Sequence, residues 1–235
     1  MAPSVRGRVV LARGPERFLD CLRTRAYDPR RGMATARPRP TSTETAIREL
    51  FEASARAKQV FLQENAAALE RAIDAVAQAL AAGRKLLLFG NGGSAADAQH
   101  LAAEFVGRYA RERRPLPAIA LTTDTSALTA IANDYGYDDV FARQVHALGA
   151  AGDVALAIST SGRSPSVLRA VEAARTRGLS TIGLTGGDGG ALAGMVDVCL
   201  RVSASTHAAR IQETHILIGH VICELVDRRL FGEPA

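Results

Sequence analysis

Short runs of consecutive apolar residues alternate with helical patterns over most of the chain. The apolar runs 85–89, 118–121, 154–158, 181–184 and 198–202 predict five β-strands. Apolar residues at three- and four-residue spacing predict helices over about 94–110, 125–133, 138–148, 164–177 and 206–229. Strands that are apolar throughout and alternate with helices are typical of a parallel sheet covered on both faces. The pattern therefore predicts an α/β fold that binds its ligand where the strands end.

The segment 41–82 has a helical pattern without any strand. Ile47, Leu50 and Phe51 begin a series of apolar residues at helical spacing, which continues to Leu80. Gly83 then provides a residue suited to ending a helix. We interpret the segment as a pair of helices that either cover the sheet or form a contact between subunits.

A glycine-rich turn follows the first predicted strand and leads into a helix. Asn91, Gly92 and Gly93 fit neither a dinucleotide-binding G-x-G-x-x-G motif nor a P-loop, because the third glycine and the Gly-Lys-Ser/Thr sequence are missing. Glycines let the backbone approach a ligand, and a helix N-terminus attracts an anion. Further along, His100 and Glu104 are four residues apart and therefore neighbours on the helix. The segment predicts an anion site beside an acid/base or metal-binding pair, with an ordinary structural turn as the alternative.

A second polar cluster follows the predicted strand at 154–158. The hydroxyls of Ser159, Thr160, Ser161 and Ser164 lie at the start of a helix. Hydroxyls and free backbone N–H groups together hold phosphate oxygens without a metal. An ordinary helix N-cap, for example Ser164, would account for one of these hydroxyls and leave the other three unexplained. We therefore predict that this loop binds phosphate.

Two further polar groups, residues 122–126 and 133–137, follow the second predicted strand. Asn133 and Asp134 are suited to contacting sugar hydroxyls. A structural role is equally compatible with the sequence, with Asp124 or Thr125 as a helix N-cap and Asn133-Asp134 as a turn. The sequence leaves both interpretations open.

The last predicted helix carries Gln212 and His220. A single histidine in an apolar run is usually a core residue. Two histidines and one glutamate, however, form a common catalytic zinc set, which His100 and Glu104 would complete, with Gln212 as a weaker fourth ligand. Eight residues along a helix rise about 12 Å. Gln212 and His220 therefore reach one ion only if their side chains converge along the axis, if Gln212 precedes the regular helix, or if two subunits supply the ligands.

Composition narrows the possible functions. Cys21, Cys199 and Cys223 lie far apart, which argues against a disulfide framework or a cysteine zinc site and favours a reducing cytoplasm. No apolar run approaches the roughly 20 residues of a membrane helix. Residues 1–40 carry ten arginines and three acids, so the net charge of +5 leaves the rest of the chain near neutrality, at −2. A body of that charge gives no reason to expect nucleic-acid binding.

Residues 1–40 form an arginine-rich extension without long periodicity. Its composition is compatible with a nucleic-acid arm, a transit peptide or a disordered tail, and also with translation that starts at Met33. We expect a disordered tail or a misassigned start, followed by one domain over residues 41–235.

The motifs together resemble the sugar isomerase (SIS) domain family and, within it, the phosphoheptose isomerases. The resemblance covers about residues 43–232 and rests on five segments: residues 90–100, 122–126, 133–137, 159–162, and 211–213 with His220. It implies a doubly wound five-stranded parallel sheet of flavodoxin-like type with an N-terminal helical pair. It also implies a cytoplasmic homotetramer with active sites at subunit interfaces, and a phosphorylated seven-carbon sugar as substrate.

Carried over position by position, the resemblance implies that Glu104 and His220 are the catalytic acid/base pair. The ligands it implies for one Zn2+ per subunit are His100, Glu104, Gln212 and His220. The substrate contacts it implies are Asn91, Gly92, Gly93, Glu104, Asn133, Asp134, Ser159, Thr160, Ser161, Ser164 and Gln212. The implied reaction converts D-sedoheptulose 7-phosphate to D-glycero-D-manno-heptose 7-phosphate through an enediol, as the first step toward the ADP-heptose of the lipopolysaccharide core.

Three related functions compete with this interpretation. A non-catalytic SIS protein that binds the replication initiator is similar to this chain around residues 128–133 and 152–160, but lacks the acid and the imidazole at the positions of Glu104 and His220. Other phosphosugar isomerases, such as arabinose 5-phosphate isomerase, usually carry a regulatory tail. Phosphosugar-sensing transcription regulators carry an upstream DNA-binding domain. The presence of both Glu104 and His220 favours an enzyme.

Overall fold

A computed structural model of the chain describes residues 42–233, so the predictions for residues 1–40 lie outside the described residues. In chain order, the helices and strands are α1 (Thr43–Ala81), β1 (Leu86–Gly90), α2 (Gly93–Val106), β2 (Ala118–Ala120), α3 (Thr125–Asp134), α4 (Ala142–Leu148), β3 (Val154–Ser159), α5 (Pro165–Thr176), β4 (Ser180–Gly186), β5 (Val198–Val202) and α6 (Ala208–Phe231). Short 3-10 helices, Tyr137–Asp139 and Leu192–Gly194, follow α3 and β4. Within the described part of the chain, no helix is both long enough and apolar enough to cross a bilayer.

The five strands form one parallel sheet in the order β2-β1-β3-β4-β5. Leu88 of β1 pairs with Ala120 of β2 on one side and with Leu156 of β3 on the other. The chain therefore changes direction across the sheet at β1, and open α/β sheets bind ligands beyond the carboxyl ends of the strands at such a point. The predicted α/β fold with a five-stranded parallel sheet is confirmed.

Each face of the sheet buries its own apolar layer. Val154, Leu156 and Ile158 of β3 belong to the layer that contains α1, α2 and α6. Ala155 and Ala157, which alternate with them, belong to the layer that contains α4 and α5. Because successive strand residues point to opposite faces, a strand buried on both faces is apolar throughout, as the sequence pattern indicated.

The predicted helical pair over residues 41–82 is wrong, because one continuous helix, α1, fills this part of the described chain. No glycine or proline occurs between Thr43 and Ala81, so no residue interrupts the backbone hydrogen bonds of the helix. Gly83, in the left-handed conformation at a φ of +72°, follows the helix end as predicted.

The N-terminal half of α1 presents an apolar stripe to solvent. Ile47, Leu50 and Phe51 are 51%, 57% and 76% exposed, and their spacing places them on one face of the helix. Arg210 of α6 donates a hydrogen bond of 2.7 Å to the backbone oxygen of Leu50. In contrast, residues of the C-terminal half such as Leu80 are buried against the sheet.

The predicted helix over 138–148 is also wrong, because it is divided into the 3-10 helix Tyr137–Asp139 and the short helix α4. Phe141 lies between them and is buried, stacked on Phe89 of β1 with ring centroids 5.7 Å apart. Packing against the sheet has therefore overridden the local helical pattern.

A buried ion pair joins the end of α2 to α6. The side chains of Arg113 and Asp227 are 2% and 5% exposed, and Nε of Arg113 lies 3.0 Å from Oδ1 of Asp227. The Arg113 guanidinium also donates to backbone oxygens in and after the last turn of α2, including those of Glu104 and Gly107. This capping explains why α2 ends at Val106 and not near residue 110 as predicted.

His215 is a second buried polar residue of α6. It has no solvent exposure, and its Nε2 lies 3.1 Å from the backbone oxygen of Thr185. Burial lowers the pKa of His215 to about 4, and the hydrogen bond to Thr185 only partly opposes this effect. His215 is therefore neutral in the folded protein at pH 7.

Replacing Asp227 with alanine should lower the free energy of unfolding by about 3–5 kcal/mol, because it leaves the buried Arg113 charge uncompensated. Urea denaturation followed by circular dichroism measures the change. Glu44→Ala is the control, since Glu44 pairs with Arg48 at side-chain exposures of 76% and 72% and should contribute less than about 1 kcal/mol. Equal effects of the two substitutions would contradict a structural role for the buried pair.

Protonation of His215 should destabilise the fold in acid. Its folded pKa of about 4 lies below the unfolded value of 6.5, so the unfolded chain binds more protons between these values. The contribution is therefore complete above pH 6.5 and is lost as the pH falls toward 4, at up to about 1.4 kcal/mol per pH unit. Unfolding free energies measured from pH 7 to 4 should fall less steeply for His215→Gln than for wild type. The exposed His146→Gln should keep the wild-type slope, and a wild-type slope in His215→Gln would contradict the assignment.

Candidate active site

The turn between β1 and α2 packs closely against the end of β3. A Cβ atom on Gly90 would lie 2.7 Å from the backbone oxygen of Ile158, so no side chain fits there. Gly92 has a φ of +58°, a conformation that favours glycine, and precedes the first residue of α2. The N-terminus of α2 therefore lies at the carboxyl edge of the sheet, with the N–H groups of Ser94 and Ala95 hydrogen-bonded to the backbone oxygens of Asn91 and Gly92.

The Asn91 side chain, predicted to contact substrate, is held by other side chains of the protein. Its Nδ2 donates to Oγ of Ser164 at 2.7 Å and to Oγ of Ser166 at 3.0 Å. Its Oδ1 accepts a hydrogen bond of 2.8 Å from the Tyr137 hydroxyl. The amide of Asn91 therefore ties the turn after β1 to the start of α5.

The loop after β3 carries the hydroxyls that we predicted to bind phosphate. Ser159 is buried at the end of β3, Ser161 is exposed, and Thr160 and Ser164 are partly exposed. Ser164 occupies the N-cap position of α5, but its hydroxyl makes no capping hydrogen bond and accepts one from Asn91. The alternative that this hydroxyl is an ordinary N-cap is wrong.

The loop after β4 packs against the loop after β3. Gly162 is packed against Gly189, and a Cβ atom there would collide with the Gly189 backbone oxygen. Arg163 pairs with both carboxylate oxygens of Asp188, at 2.9 and 2.5 Å, and donates to the backbone oxygen of Ser161. The Arg163 guanidinium lowers the pKa of Asp188 to about 2. Because this arginine already has an anionic partner, the predicted phosphate binding would depend on hydroxyl and amide donors.

The polar residues around α3 have separate roles. Asp124 is the N-cap of α3, and its carboxylate accepts a hydrogen bond of 2.9 Å from the backbone N–H of Ala127. Asn133 and Asp134, exposed at the end of α3, are hydrogen-bonded to each other at 2.8 Å. The segment that follows returns to the carboxyl edge of the sheet, because Tyr137 reaches Asn91. A substrate contact by Asn133 and Asp134 stays a prediction.

His100, Glu104 and His220 converge between α2 and α6. Nε2 of His100 lies 3.2 Å from Oε1 of Glu104 and 3.1 Å from Nε2 of His220. One potential ligand atom from each residue lies within 4.8 Å of the others. The side chains of His100 and Glu104 are 48% and 24% exposed, so this cluster opens onto the protein surface. Three of the four predicted metal ligands thus meet within one chain.

This convergence depends on close packing of α2 against α6. A Cβ atom on Gly219 would collide with the buried side chain of Leu101, so the absence of a side chain at residue 219 lets the two helices approach without displacing Leu101. His220 follows Gly219 and His100 precedes Leu101, so this contact brings the two histidine side chains together.

Two of the three separations among these side chains match those around a tetrahedral metal ion, and the third lies within 4.8 Å. Zinc bound at about 2.0–2.1 Å separates its ligand atoms by about 3.3 Å. The separations of 3.2 Å from His100 to Glu104 and 3.1 Å from His100 to His220 are close to that value. Two imidazoles and one carboxylate are also a set that catalytic zinc sites use, with a further position left for substrate.

The fourth predicted ligand, Gln212, lies at the other end of the contact between α2 and α6. Its side-chain amide rests on Gly93, where a Cβ atom would collide with it. Gln212 precedes His220 by eight residues of regular helix, a rise of about 12 Å. Within one chain it is therefore placed beside the predicted substrate-binding turn, and its role as a metal ligand stays a prediction.

Comparison with known proteins identifies the family. The SIS domain family model matches residues 49–186. A phosphoheptose isomerase from Roseiflexus sp. (strain RS-1) is 55% identical over 196 residues, which are 83% of this chain and 98% of the relative. The chain belongs to the phosphoheptose isomerase family.

Solved phosphoheptose isomerase structures share the fold. That from Neisseria gonorrhoeae is 49% identical, with a TM-score of 0.74 over 79% of this chain and 99% of its own. That from Francisella tularensis is 42% identical, with a TM-score of 0.76 over 80% of this chain and 99% of its own. The match extends over nearly the full length of both phosphoheptose isomerases.

In this phosphoheptose isomerase family member, two further residues, Tyr109 and Asp97, lie near the histidines and were not predicted from the sequence. The Tyr109 ring lies 5.8 Å from the His220 ring, and burial together with Glu224 raises the pKa of its hydroxyl. Burial raises the pKa of Asp97, whereas His100 lowers it. The three-residue spacing from Asp97 to His100 was a usable signal, because it places both on one helix face. Tyr109 had none, since it follows the end of α2.

Proposed function

We propose that the protein converts D-sedoheptulose 7-phosphate to D-glycero-D-manno-heptose 7-phosphate, as an aldose–ketose isomerase. The observation that carries the proposal is the convergence of His100, Glu104 and His220, in a chain that matches a phosphoheptose isomerase over 98% of that relative's length. A carboxylate and an imidazole at these positions support an enzyme over a non-catalytic SIS protein.

The phosphate of the substrate binds at the loop after β3. Support comes from the exposed or partly exposed hydroxyls of Thr160, Ser161 and Ser164 and from the N-terminus of α5, which lie at the carboxyl edge of the sheet. The turn at Gly92 and Gly93 lies at the same edge, with the Gln212 side chain beside it. In the proposed complex this turn contacts the sugar.

The reaction moves one carbon-bound proton between neighbouring carbons. Glu104 removes a proton from C1 of the ketose, the C–H electron pair forms the C1–C2 double bond, and the C2 oxygen gains a proton from His220. Glu104 then returns its proton to C2 while the O1 proton passes to His220, which leaves the aldose. A carboxylate beside an imidazole provides both transfers without net consumption of protons.

The three converging side chains would hold a Zn2+ ion, one per subunit. When bound, such an ion polarises the sugar carbonyl and stabilises negative charge on its oxygen. Glu104 is both a predicted ligand and the predicted base, and a carboxylate bound to a cation is a weaker base. Gln212 from a second copy of the chain is the proposed fourth ligand.

The enzyme assembles as a homotetramer with active sites at subunit interfaces. Three observations support this proposal: the exposed apolar stripe of Ile47, Leu50 and Phe51, the surface position of the His100–Glu104 pair, and the distance of Gln212 from the histidines along α6. A second copy of the chain would cover the apolar stripe, enclose the exposed His100–Glu104 pair and supply a Gln212 side chain close to the histidines.

Glu104→Gln and His220→Gln should each lower isomerisation by at least about 10²-fold, because each removes a proton-transfer group. Incubation with sedoheptulose 7-phosphate, followed by NMR detection of the aldose 7-phosphate, measures the activity. Glu112→Gln, at a side chain that is 89% exposed, and His146→Gln are the matched controls and should retain wild-type turnover. Near-normal turnover in either catalytic-site variant would refute the mechanism. Absence of turnover in the wild type, together with tight binding to the replication initiator, would refute the proposed reaction.

Removal of metal should also be measurable without activity. The purified protein should contain about one zinc per subunit, and dialysis against a chelator should lower its melting temperature until zinc is restored, because a ligand that binds only the folded state stabilises it. His100→Ala should abolish both the metal content and the zinc-dependent shift, whereas His146→Ala should retain them. Equal metal content in the two variants would contradict the assigned ligands.

A further inference from the structure

Tyr137 is an exposed tyrosine whose hydroxyl is nevertheless engaged. The residue is 56% exposed, yet its hydroxyl donates a hydrogen bond of 2.8 Å to Oδ1 of Asn91. Asn91 continues the chain through Nδ2, to Ser164 at 2.7 Å and to Ser166 at 3.0 Å. The two serine oxygens are 3.4 Å apart. Side chains from three separate segments thus form one hydrogen-bonded series.

The direction of these hydrogen bonds determines which groups remain available to a ligand. A phenol that donates to the amide oxygen of Asn91 keeps the amide nitrogen turned toward the serines. Because Oγ of Ser164 accepts from that nitrogen, the hydrogen of the Ser164 hydroxyl can be donated elsewhere. Hydrogen bonds in series polarise one another, so acceptance of one bond strengthens the donation of the next.

The Ser164 hydroxyl lies in the loop that binds the substrate phosphate in the proposed function, and its hydrogen can point either to Oγ of Ser166 or to a ligand. The hydroxyl is not used for capping α5, although Ser164 occupies the N-cap position, and it is partly exposed. We infer that Tyr137 is a positioning residue for phosphate binding, which acts through the Asn91 amide to present the Ser164 hydroxyl as a donor. This inference rests on the proposed function and adds a residue to its phosphate site.

The chain offers a matched control two residues away. Tyr135 has the same exposure of 56%, its ring lies under the Arg143 guanidinium at 3.7 Å, and within residues 42–233 its hydroxyl has no hydrogen-bond partner. Tyr135→Phe and Tyr137→Phe therefore remove the same atom from equally exposed rings. Only the second substitution breaks the series that leads to Ser164.

Steady-state kinetics with sedoheptulose 7-phosphate tests the inference. Tyr137→Phe should raise KM about two- to tenfold, the effect of one hydrogen bond, while kcat stays within about twofold of wild type. Tyr135→Phe should leave both constants unchanged. A loss of kcat without a change in KM, or equal effects of the two substitutions, would overturn the positioning role.

A double-mutant cycle with Ser164→Ala tests the route through Asn91. If Tyr137 acts through the Ser164 hydroxyl, Tyr137→Phe should have no further effect on KM once that hydroxyl is gone. Multiplicative effects of the two substitutions would show that Tyr137 acts independently and would overturn the inference.

Calorimetric titration with inorganic phosphate separates this inference from the proposed reaction. Tyr137→Phe should weaken phosphate binding by the same two- to tenfold factor, about that of one hydrogen bond, and Tyr135→Phe should not. A wild-type protein that binds phosphate in this Tyr137-dependent way, but does not isomerise the heptose, would refute the proposed substrate and retain the positioning role. Phosphate binding that is absent, or equal in wild type and Tyr137→Phe, would refute the positioning role.

Discussion

The contact between α2 and α6 at Gly219 is the constraint on which the candidate chemistry depends. His100 and Glu104 pair with each other on α2, and the second imidazole, that of His220, joins them only where α2 and α6 touch. Arg113 holds the same pair of helices further along, through Asp227 and the last turn of α2. The Arg113–Asp227 ion pair and the glycine at position 219 therefore both hold α2 and α6 close enough for the His100 and His220 rings to meet.

The parallel sheet supplies the second half of the site. Pairing of β1 with β3 places the turn after Gly90 and the loop after Ser159 side by side, because parallel strands end at the same edge. The two segments are then joined by the Asn91 amide. The predicted phosphate donors thus come from strand ends, whereas the predicted proton-transfer groups come from a contact between two helices.

The sequence alone was sufficient for features that depend on local periodicity. Each predicted strand lies within two residues of the observed bounds, because strands buried on both faces are apolar without interruption. The neighbourhood of His100 and Glu104 followed from the helical repeat. Nothing in the sequence of residues 41–82 marks a break between two helices. The predicted helical pair assumed such a break, which α1 lacks.

Features that depend on long-range contacts could not be derived in this way. The meeting of His220 with His100 joins residues 120 positions apart and depends on Gly219. The partners of Asn91 come from two later segments, so a polar residue in a glycine turn gave no indication of its structural role. Asp188 was visible only as an acid within a glycine-rich run after a strand, and its pairing with Arg163 required the fold.

The two faces of β3 carry side chains of different size, and this difference has a consequence beyond stability. Ala155 and Ala157 leave only methyl groups beneath α5, the helix that follows the phosphate loop. A larger side chain at either position would overpack this layer and displace the N-terminus of α5. In laboratory evolution, substitutions in this buried layer would therefore alter the affinity of the proposed phosphate site from the protein interior.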